Sequence, residues 1–402
     1  MNNANKSIGF YTVNNVVYGD KFLAVLEAQK TLSDLKWHFH DDTLRKYNWA
    51  LEPTQSLDEL YKLRAIQLRE QYDYLIVKCS GGADSTNVIW SFLNNNILVD
   101  EVITSYPFSG LNNWNFDPND KSAENTISEM KFAALPLLHE IKTRYPSIKI
   151  TLHDTFEEIQ QVKSESWLYE NQLNDYLSPL SSVLRSLESF NHIKDLAEQG
   201  KRIGVVYGVE KPMIRVDNRD SKVYAFISDL GVNIVRNPFK TDYLNVDSVL
   251  FYLTPDMPEL MIKQAHVVSK YVFKPENYYI VDAMEKMFTG GKEGKNNPAA
   301  LTSPRPRDYY KTLYHRSICA PLYPSTWKQD VWQADKNSGG FLSNVHIWFQ
   351  KLHSTDRVCS MMTDNVMEVY KKINPKYLTD HGTGFKANIK YFYLGNTHDF
   401  RI

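Results

Sequence analysis

The amino-acid sequence predicts an α/β protein with a doubly wound parallel sheet, preceded by a helical N-terminal region and followed by a mixed α+β C-terminal region. In the middle of the chain, short apolar runs alternate with segments of helical spacing, which is typical of parallel sheets. The run over 202–208 has the unbroken apolar centre of a strand inside such a sheet. Another apolar run, over 74–79, ends at two glycines followed by a helix start. We therefore expect three regions, 1–72, 73–250 and 251–402.

The individual elements follow from the spacing of the apolar residues. Helical spacing predicts N-terminal helices over 21–37 and 57–72. The strand at 74–79 leads into a helix from Ser85 to about Asn95. Because ligands of doubly wound sheets bind beyond the carboxyl ends of the strands, the loops after the strands are the candidate site. The remaining predicted elements of this region are a strand at 101–106, a helix over 123–144, a strand at 148–153, helices over 155–162 and 177–199, and the strand at 202–208.

The C-terminal region carries weaker patterns. Pro258 favours the first turn of a helix. The glycine- and lysine-rich run over 288–297 predicts a loop, either an inert surface excursion or a lid over bound phosphates. Arg305 and Arg307 stand among tyrosines, a pattern that fits nucleobase stacking or ordinary packing equally well. The alternating run over 387–395 predicts a strand in a hairpin or at a sheet edge.

The loop after the first strand of the sheet has the composition of a phosphate site. Gly81 and Gly82 have no Cβ, so the chain can take positive φ and an anion can approach the backbone. The following helix presents unpaired amide groups and the positive end of its dipole. Asp84 repels a phosphate unless a cation lies between them, so this residue indicates Mg²⁺. A tight strand-to-helix turn without a ligand is the alternative interpretation.

The order Ser-Gly-Gly-x-Asp-Ser over 80–85 resembles the pyrophosphate loop of the N-type ATP pyrophosphatases. This superfamily includes asparagine synthetase, GMP synthetase and the sulfonucleotide (PAPS) reductases, and it has the adenine nucleotide alpha hydrolase-like (HUP) fold. The resemblance implies ATP and Mg²⁺ as cofactors, cleavage of ATP to AMP and pyrophosphate, and transfer of AMP to a substrate. It assigns Ser105, at the end of the second strand, to the adenine and ribose site. The phosphate-binding residues that it implies are Ser80, Gly81, Gly82, Asp84, Ser85 and Thr86, with Asp84 as metal ligand and catalytic residue.

Cations that follow the fourth strand are candidates for the same site. Lys211 and Arg215, in a segment stiffened by Pro212, are placed to neutralise the charge that grows on pyrophosphate during adenylyl transfer. Structural salt bridges are the alternative role for both residues. If neither acts in catalysis, the cations must come from elsewhere in the chain, with Lys292, Lys295, Arg305 and Arg307 as the candidates.

Composition agrees with a cytoplasmic protein. Among 402 residues, 46 lysines and arginines balance 47 acids, so the net charge does not indicate a nucleic-acid partner, although nucleic acid stays open as a substrate. The three cysteines give neither a disulfide framework nor a zinc spacing. No apolar run has membrane-spanning length, and the first residues lack the apolar core of a signal peptide. The oligomeric state is left open.

The nucleophile that follows adenylation is predicted by elimination. Paired catalytic cysteines, as in the thiolating members, have no counterpart, and the tail over 386–402 lacks the cysteine of a sulfonucleotide reductase. Ammonia or an amine remains, acting on an unknown acceptor substrate. Asn2 stands where asparagine synthetase has its glutaminase cysteine, so no in-chain glutaminase is expected. The first hypothesis is therefore an AMP-forming ligase. The alternatives are a nucleotide-binding or sensing module without catalysis, or a PAPS reductase-like sulfonucleotide-binding protein.

Overall fold

The computed structural model describes residues 9–19, 21–106, 130–154, 191–209, 211–217, 219–228, 245–278, 281, 322 and 387–401. Several predictions fall on other residues and are not tested. They concern the helix at 155–162, the first part of the helix at 177–199, the lysine-rich run at 288–297, and Arg305 and Arg307.

The N-terminal region is not purely helical, so that prediction was wrong. The helix predicted over 21–37 ends at Thr31. A strand follows, and in and beside it every second side chain is buried, namely those of Leu35, Trp37 and Phe39. Asn14 and Asn15, both with positive φ (50° and 66°), form the two-residue turn of a hairpin. The antiparallel sheet has the order β2-β1-β3, with strands β1 (Phe10–Val13), β2 (Val16–Tyr18) and β3 (Lys36–His38).

The helices of this region are α1 (Lys21–Thr31), α2 (Asp41–Leu44) and α3 (Leu57–Gln71). The prediction for α3 is confirmed to within one residue. Its start is fixed by a capping box, in which Ser56 Oγ accepts from the Glu59 amide at 3.2 Å and Glu59 Oε2 accepts from the Ser56 amide at 2.7 Å.

The described part of the chain contains a parallel sheet of five strands with flanking helices, which confirms the α/β class. The chain runs from the central strand to one edge and then returns to the other side of the central strand. Such a reversal is a topological switch point, where loops on both sides open a crevice at the carboxyl ends. The sheet order is β10-β7-β4-β5-β6, with β4 (Tyr74–Lys78), β5 (Glu101–Tyr106), β6 (Lys149–Asp154), β7 (Ile203–Tyr207) and β10 (Val246–Leu250).

Helices of the sheet region follow the strands as the alternating pattern predicts. The predicted helix over 123–144 is described from Met130, where a π-helical turn (Met130–Ala134) precedes the α-helix. Pro258 stands at the first turn of the last long helix, as predicted. In chain order these helices are α4 (Ala83–Leu93), α5 (Leu135–Arg144), α6 (Asn191–Glu198) and α7 (Pro258–Val272).

A second antiparallel sheet, of order β11-β9-β8, joins the end of the chain to its middle. Its strands are β8 (Met213–Asp217), β9 (Lys222–Phe226) and β11 (Tyr391–Asn396), so the predicted C-terminal strand is confirmed as a sheet edge. One face of this sheet is buried in the common hydrophobic core, through Ile214, Val216, Val223, Ala225, Phe392 and Leu394. None of the described helices is both long and apolar enough to cross a membrane.

Candidate functional site

The loop between β4 and α4 lies at the carboxyl end of the central strand. Gly81 has φ of +78°, a conformation that residues with a Cβ adopt at a cost. A Cβ on Gly81 would lie 2.4 Å from the amide nitrogen of Ala134, at the start of the helix that packs over the loop. This position therefore requires glycine for two independent reasons.

Hydroxyl groups of the loop hold its own backbone. The Ser80 amide donates to Ser85 Oγ at 3.3 Å, and Ser85 Oγ donates to the Gly82 carbonyl at 3.2 Å. The Gly82 amide donates to Ser80 Oγ at 3.3 Å, and Thr86 Oγ1 lies 3.5 Å from the Gly81 carbonyl. In this conformation the predicted hydroxyl ligands bond to the backbone of the loop and satisfy the amides of Ser80 and Gly82.

Helix α4 begins without a side-chain cap. Gly82 is its N-cap residue and provides no side-chain hydrogen bond. The first intrahelical bond is donated by the Thr86 amide to the Gly82 carbonyl at 3.0 Å, so the amides of Ala83 and Ser85 have no acceptor within the helix. With the helix dipole behind them, these amides form a site suited to an anion.

The loop after β7 closes on the same helix start from the other side of the switch point. Gly208 follows directly after β7, and a Cβ there would lie 2.8 Å from the Asp84 carbonyl oxygen. This role of Gly208 was not predicted from the sequence. A glycine after a buried strand was the available signal, and its meaning depends on the strand order.

Lys211 is brought to the loop and forms an ion pair with Asp84. Their Nζ and Oδ2 atoms are 2.6 Å apart, with the lysine side chain only 4% exposed and the aspartate 30% exposed. The ammonium also lies 5.0 Å from the ring centroid of Tyr252. Tyr252 in turn donates to the Asp84 carbonyl at 2.8 Å and accepts from Asn87 Nδ2 at 3.0 Å. Thus Asp84 is held by its backbone and its carboxylate in a site that already contains a cation.

The structure does not bring Arg215 to the loop. The segment after Pro212 forms β8, and Arg215 lies four residues beyond Lys211, about 13 Å along an extended chain. Among the described residues, its guanidinium lies 4.0 Å from Asp217 Oδ2 and 4.9 Å from the ring centroid of Tyr391. Of the two cations predicted to neutralise a pyrophosphate, Lys211 therefore lies at the loop in this conformation and Arg215 does not.

Ser105 belongs to a polar row across the carboxyl ends of three adjacent strands. Lys78 Nζ donates to Ser105 Oγ at 3.1 Å, and Ser105 Oγ lies 3.2 Å from Nδ1 of the buried His153. Because the hydroxyl accepts from lysine, its own hydrogen is available to the imidazole nitrogen. Sequence analysis missed Lys78 and His153. Both stand at or next to the end of a predicted strand, but only the register places them beside Ser105.

Within the described residues, no group of three or more histidine, cysteine, aspartate or glutamate side chains is arranged to hold a metal ion. Asp84 is the carboxylate nearest to the loop amides in the chain, and Cys79 is buried at the end of β4.

Comparison of the chain with models of known protein families and with curated proteins finds no match.

Proposed function

We propose that the chain is an ATP-binding enzyme of the N-type ATP pyrophosphatase kind, with the adenine nucleotide alpha hydrolase-like fold. It would cleave ATP to AMP and pyrophosphate and transfer AMP to an acceptor, which ammonia or an amine then attacks. The proposal rests on the resemblance of the Ser80–Ser85 segment to the pyrophosphate loop. It is supported by the position of that segment at the switch point of a five-stranded parallel sheet.

The uncapped start of α4 facing Lys211 is the observation that carries the proposal. A polyphosphate placed there would accept hydrogen bonds from the amides of Ala83 and Ser85. Lys211 stands beside the same helix turn, where an ammonium stabilises charge that develops on a departing pyrophosphate. Gly81 and Gly208 let two neighbouring segments pack closely around this helix start, since a Cβ at either position would meet backbone atoms of Ala134 or Asp84.

The residues present fit a Mg²⁺ ion that is bound together with the nucleotide. Mg²⁺ usually keeps several waters and uses one or two carboxylates plus substrate phosphates, so a cluster of protein ligands is not needed. Asp84 would hold it, and when bound the ion would neutralise phosphate charge. Because Lys211 already compensates Asp84, the carboxylate by itself does not require a metal, and the metal assignment depends on the nucleotide.

The ion pair between Lys211 and Asp84 leads to a specific prediction about how substitutions of these two residues change the affinity for ATP. Lys211→Met removes the cation that stands beside Asp84 and the phosphates, and it should weaken metal-free ATP binding at least about tenfold. Adding Asp84→Asn to Lys211→Met removes the repulsion and should restore part of the affinity. Isothermal titration of ATP, with and without Mg²⁺, measures this cycle, and thermal unfolding of each variant is the control. Additive effects of the two substitutions would contradict a shared site.

Turnover separates an enzyme from a binding module. With Mg²⁺ and pools of metabolites or nucleic acids as acceptors, the wild-type chain should release AMP and pyrophosphate, and Asp84→Asn should reduce the rate about a hundredfold. Glutamine alone should yield no glutamate. ATP binding without pyrophosphate release from any pool would favour the sensing module. Absence of ATP binding would contradict both hypotheses.

A further inference from the structure

The solvent side of the second sheet has an unusual composition for an exposed antiparallel face. In the register, Arg215 pairs with Tyr224 and Tyr224 with Tyr393, so their side chains lie on one face, with Tyr391 two residues along β11. Tyr391 and Tyr393 are 41% and 40% exposed. The opposite face is buried in the core. We call the side formed by Arg215, Tyr224, Tyr391 and Tyr393 the tyrosine face.

The rings of the tyrosine face are held in place. The Tyr224 ring centroid lies 6.2 Å from that of Tyr391 and 6.0 Å from that of Tyr393, both with edge-to-face geometry. The Tyr224 hydroxyl donates to Asp220 at 3.3 Å, and the Tyr393 hydroxyl donates to Asn396 Oδ1 at 3.0 Å. Ordered rings lose little conformational entropy when a flat ligand stacks on them.

The charges at the tyrosine face favour an anionic partner. The β8–β9 hairpin carries three cations, Arg215, Arg219 and Lys222, against two acids. Asp217 Oδ2 lies 3.0 Å from Arg219 but 4.0 Å from Arg215, and Asp220 lies 3.0 Å from Lys222. Both acids therefore have a closer cation than Arg215. Arg215 is left beside the Tyr391 ring as the excess positive charge of the hairpin.

We propose that the tyrosine face binds single-stranded nucleic acid. Exposed aromatic rings on a sheet stack on unpaired bases, and a neighbouring arginine neutralises the backbone phosphate. Tyr391 and Tyr393 stand about 7 Å apart along β11, close to twice the spacing of stacked bases. The near-zero net charge of the whole chain gives no sign of this surface, because the excess of positive charge is confined to the β8–β9 hairpin. The site is separate from the phosphate loop and does not depend on the proposed enzymatic function.

Fluorescence anisotropy with labelled single-stranded 12-mers of thymidine and uridine tests the proposal on the full chain at 50 and 200 mM salt. Wild-type protein should bind at low salt. Tyr391→Leu and Tyr393→Leu should each weaken binding about five- to a hundredfold, whereas the corresponding Phe variants keep the ring and the affinity. Arg215→Gln should lower the slope of log affinity against log salt by about 0.7 per lost phosphate contact.

Matched controls separate this surface from the rest of the molecule. Tyr47→Ala removes a tyrosine of similar exposure (38%) outside the sheet and should leave binding unchanged. Asp84→Asn should also leave it unchanged, so failure of the ATP site and failure of this proposal are distinguishable. If the Leu variants do not fold, photocrosslinking of wild-type protein to a 4-thiouridine oligonucleotide should label Tyr391 or Tyr393. Absence of binding at 50 mM salt, equal affinity of folded Leu variants, or crosslinks elsewhere would each overturn the proposal. A dimer of the chain that Tyr391→Leu abolishes would also overturn it, because the face would then be an interface between two copies.

Discussion

The two ends of the parallel sheet are both polar, but their polar groups are satisfied in different ways. At the amino end, Glu101 is fully buried and accepts hydrogen bonds from the Tyr74 hydroxyl at 3.0 Å and from His192 Nε2 at 2.8 Å. Thr151 donates to the same carboxylate, and Lys149 Nζ lies 3.6 Å away. The Glu101 carboxylate therefore has four partners, and the polar groups at the amino end satisfy one another.

The carboxyl end keeps donors that the described helix does not use. The amides of Ala83 and Ser85 lack an intrahelical acceptor, and Gly82 offers no side-chain cap. The Asp84 carboxylate is 30% exposed although its partner Lys211 is buried. Under the proposed function, the amino end contributes stability, whereas the carboxyl end keeps groups for the nucleotide. Substitutions at the amino end should therefore lower the free energy of unfolding and leave nucleotide affinity unchanged, whereas substitutions at the carboxyl end should lower nucleotide affinity.

The largest effect is expected at the amino end. Glu101→Ala removes the fully buried acceptor that the part-buried Tyr74, Thr151 and His192 share, and it should lower the free energy of unfolding by about 3–5 kcal/mol. Urea unfolding measures this change. Lys149→Ala removes a side chain that is 45% exposed and should cost at most about 1 kcal/mol.

Nucleotide binding provides the second half of this test. Glu101→Gln keeps the side-chain size, so this variant should fold and bind ATP with the wild-type affinity under conditions where it is fully native. A large loss of ATP affinity in folded Glu101→Gln would show that the two ends are coupled, and the division between them would be wrong.

The central strands and the loop were predictable because their signals are local. An unbroken apolar run, two glycines and a helix start lie next to one another in the chain. The N-terminal sheet was missed because the Asn14–Asn15 turn carries no glycine. The β8–β9 hairpin was missed for a similar reason, since its turn contains Ser221 at a φ of 55°. Positive φ at non-glycine residues gives only a weak sequence signal.

The partners of the site were harder to predict than the loop. Lys211 was predicted at this site from its position after the fourth strand, but its ion pair with Asp84 also depends on β7 lying beside β4, an order that the apolar pattern does not encode. Glu101 receives its partners from residues that are 27, 50 and 91 positions away in the chain. A buried carboxylate at a strand start cannot be distinguished from an exposed one without these long-range contacts.

A smaller effect is expected from alanine at two glycines with the same φ of +78°. Gly200 has open space where a Cβ would stand, so Gly200→Ala should cost only the conformational strain of about 1 kcal/mol. Gly81→Ala adds a contact of 2.4 Å with Ala134 and should cost about 2–3 kcal/mol. Gly81→Ala should also weaken ATP binding, whereas Gly200→Ala should not. Equal costs for the two variants would mean that Ala134 moves away easily.

The smallest effect concerns two aspartates at the amino end with opposite pKa shifts. Burial raises the pKa of Asp247, although the hydrogen bond that Tyr72 donates at 3.2 Å opposes this. The hydrogen bond from Arg202 lowers the pKa of the exposed Asp73. A raised pKa means that the folded state holds a proton more tightly than the unfolded state, so ionised Asp247 costs stability at neutral pH. Asp247→Asn should therefore stabilise the protein at pH 7, by less than the Gly200→Ala cost.

The change in unfolding free energy at neutral pH should have opposite signs in Asp247→Asn and Asp73→Asn. The gain from Asp247→Asn should shrink as pH falls through the raised folded pKa towards the unfolded value of 3.8, because the wild-type carboxyl then becomes protonated. Asp73→Asn should instead lower stability at pH 7, and its deficit should disappear only as pH falls below 3.8, through the depressed folded pKa of Asp73. Urea unfolding of both variants and the wild type between pH 3 and 7 measures the two curves. Curves of the same sign would mean that burial does not govern Asp247, since an exposed, hydrogen-bonded carboxylate such as Asp73 gains stability when it ionises.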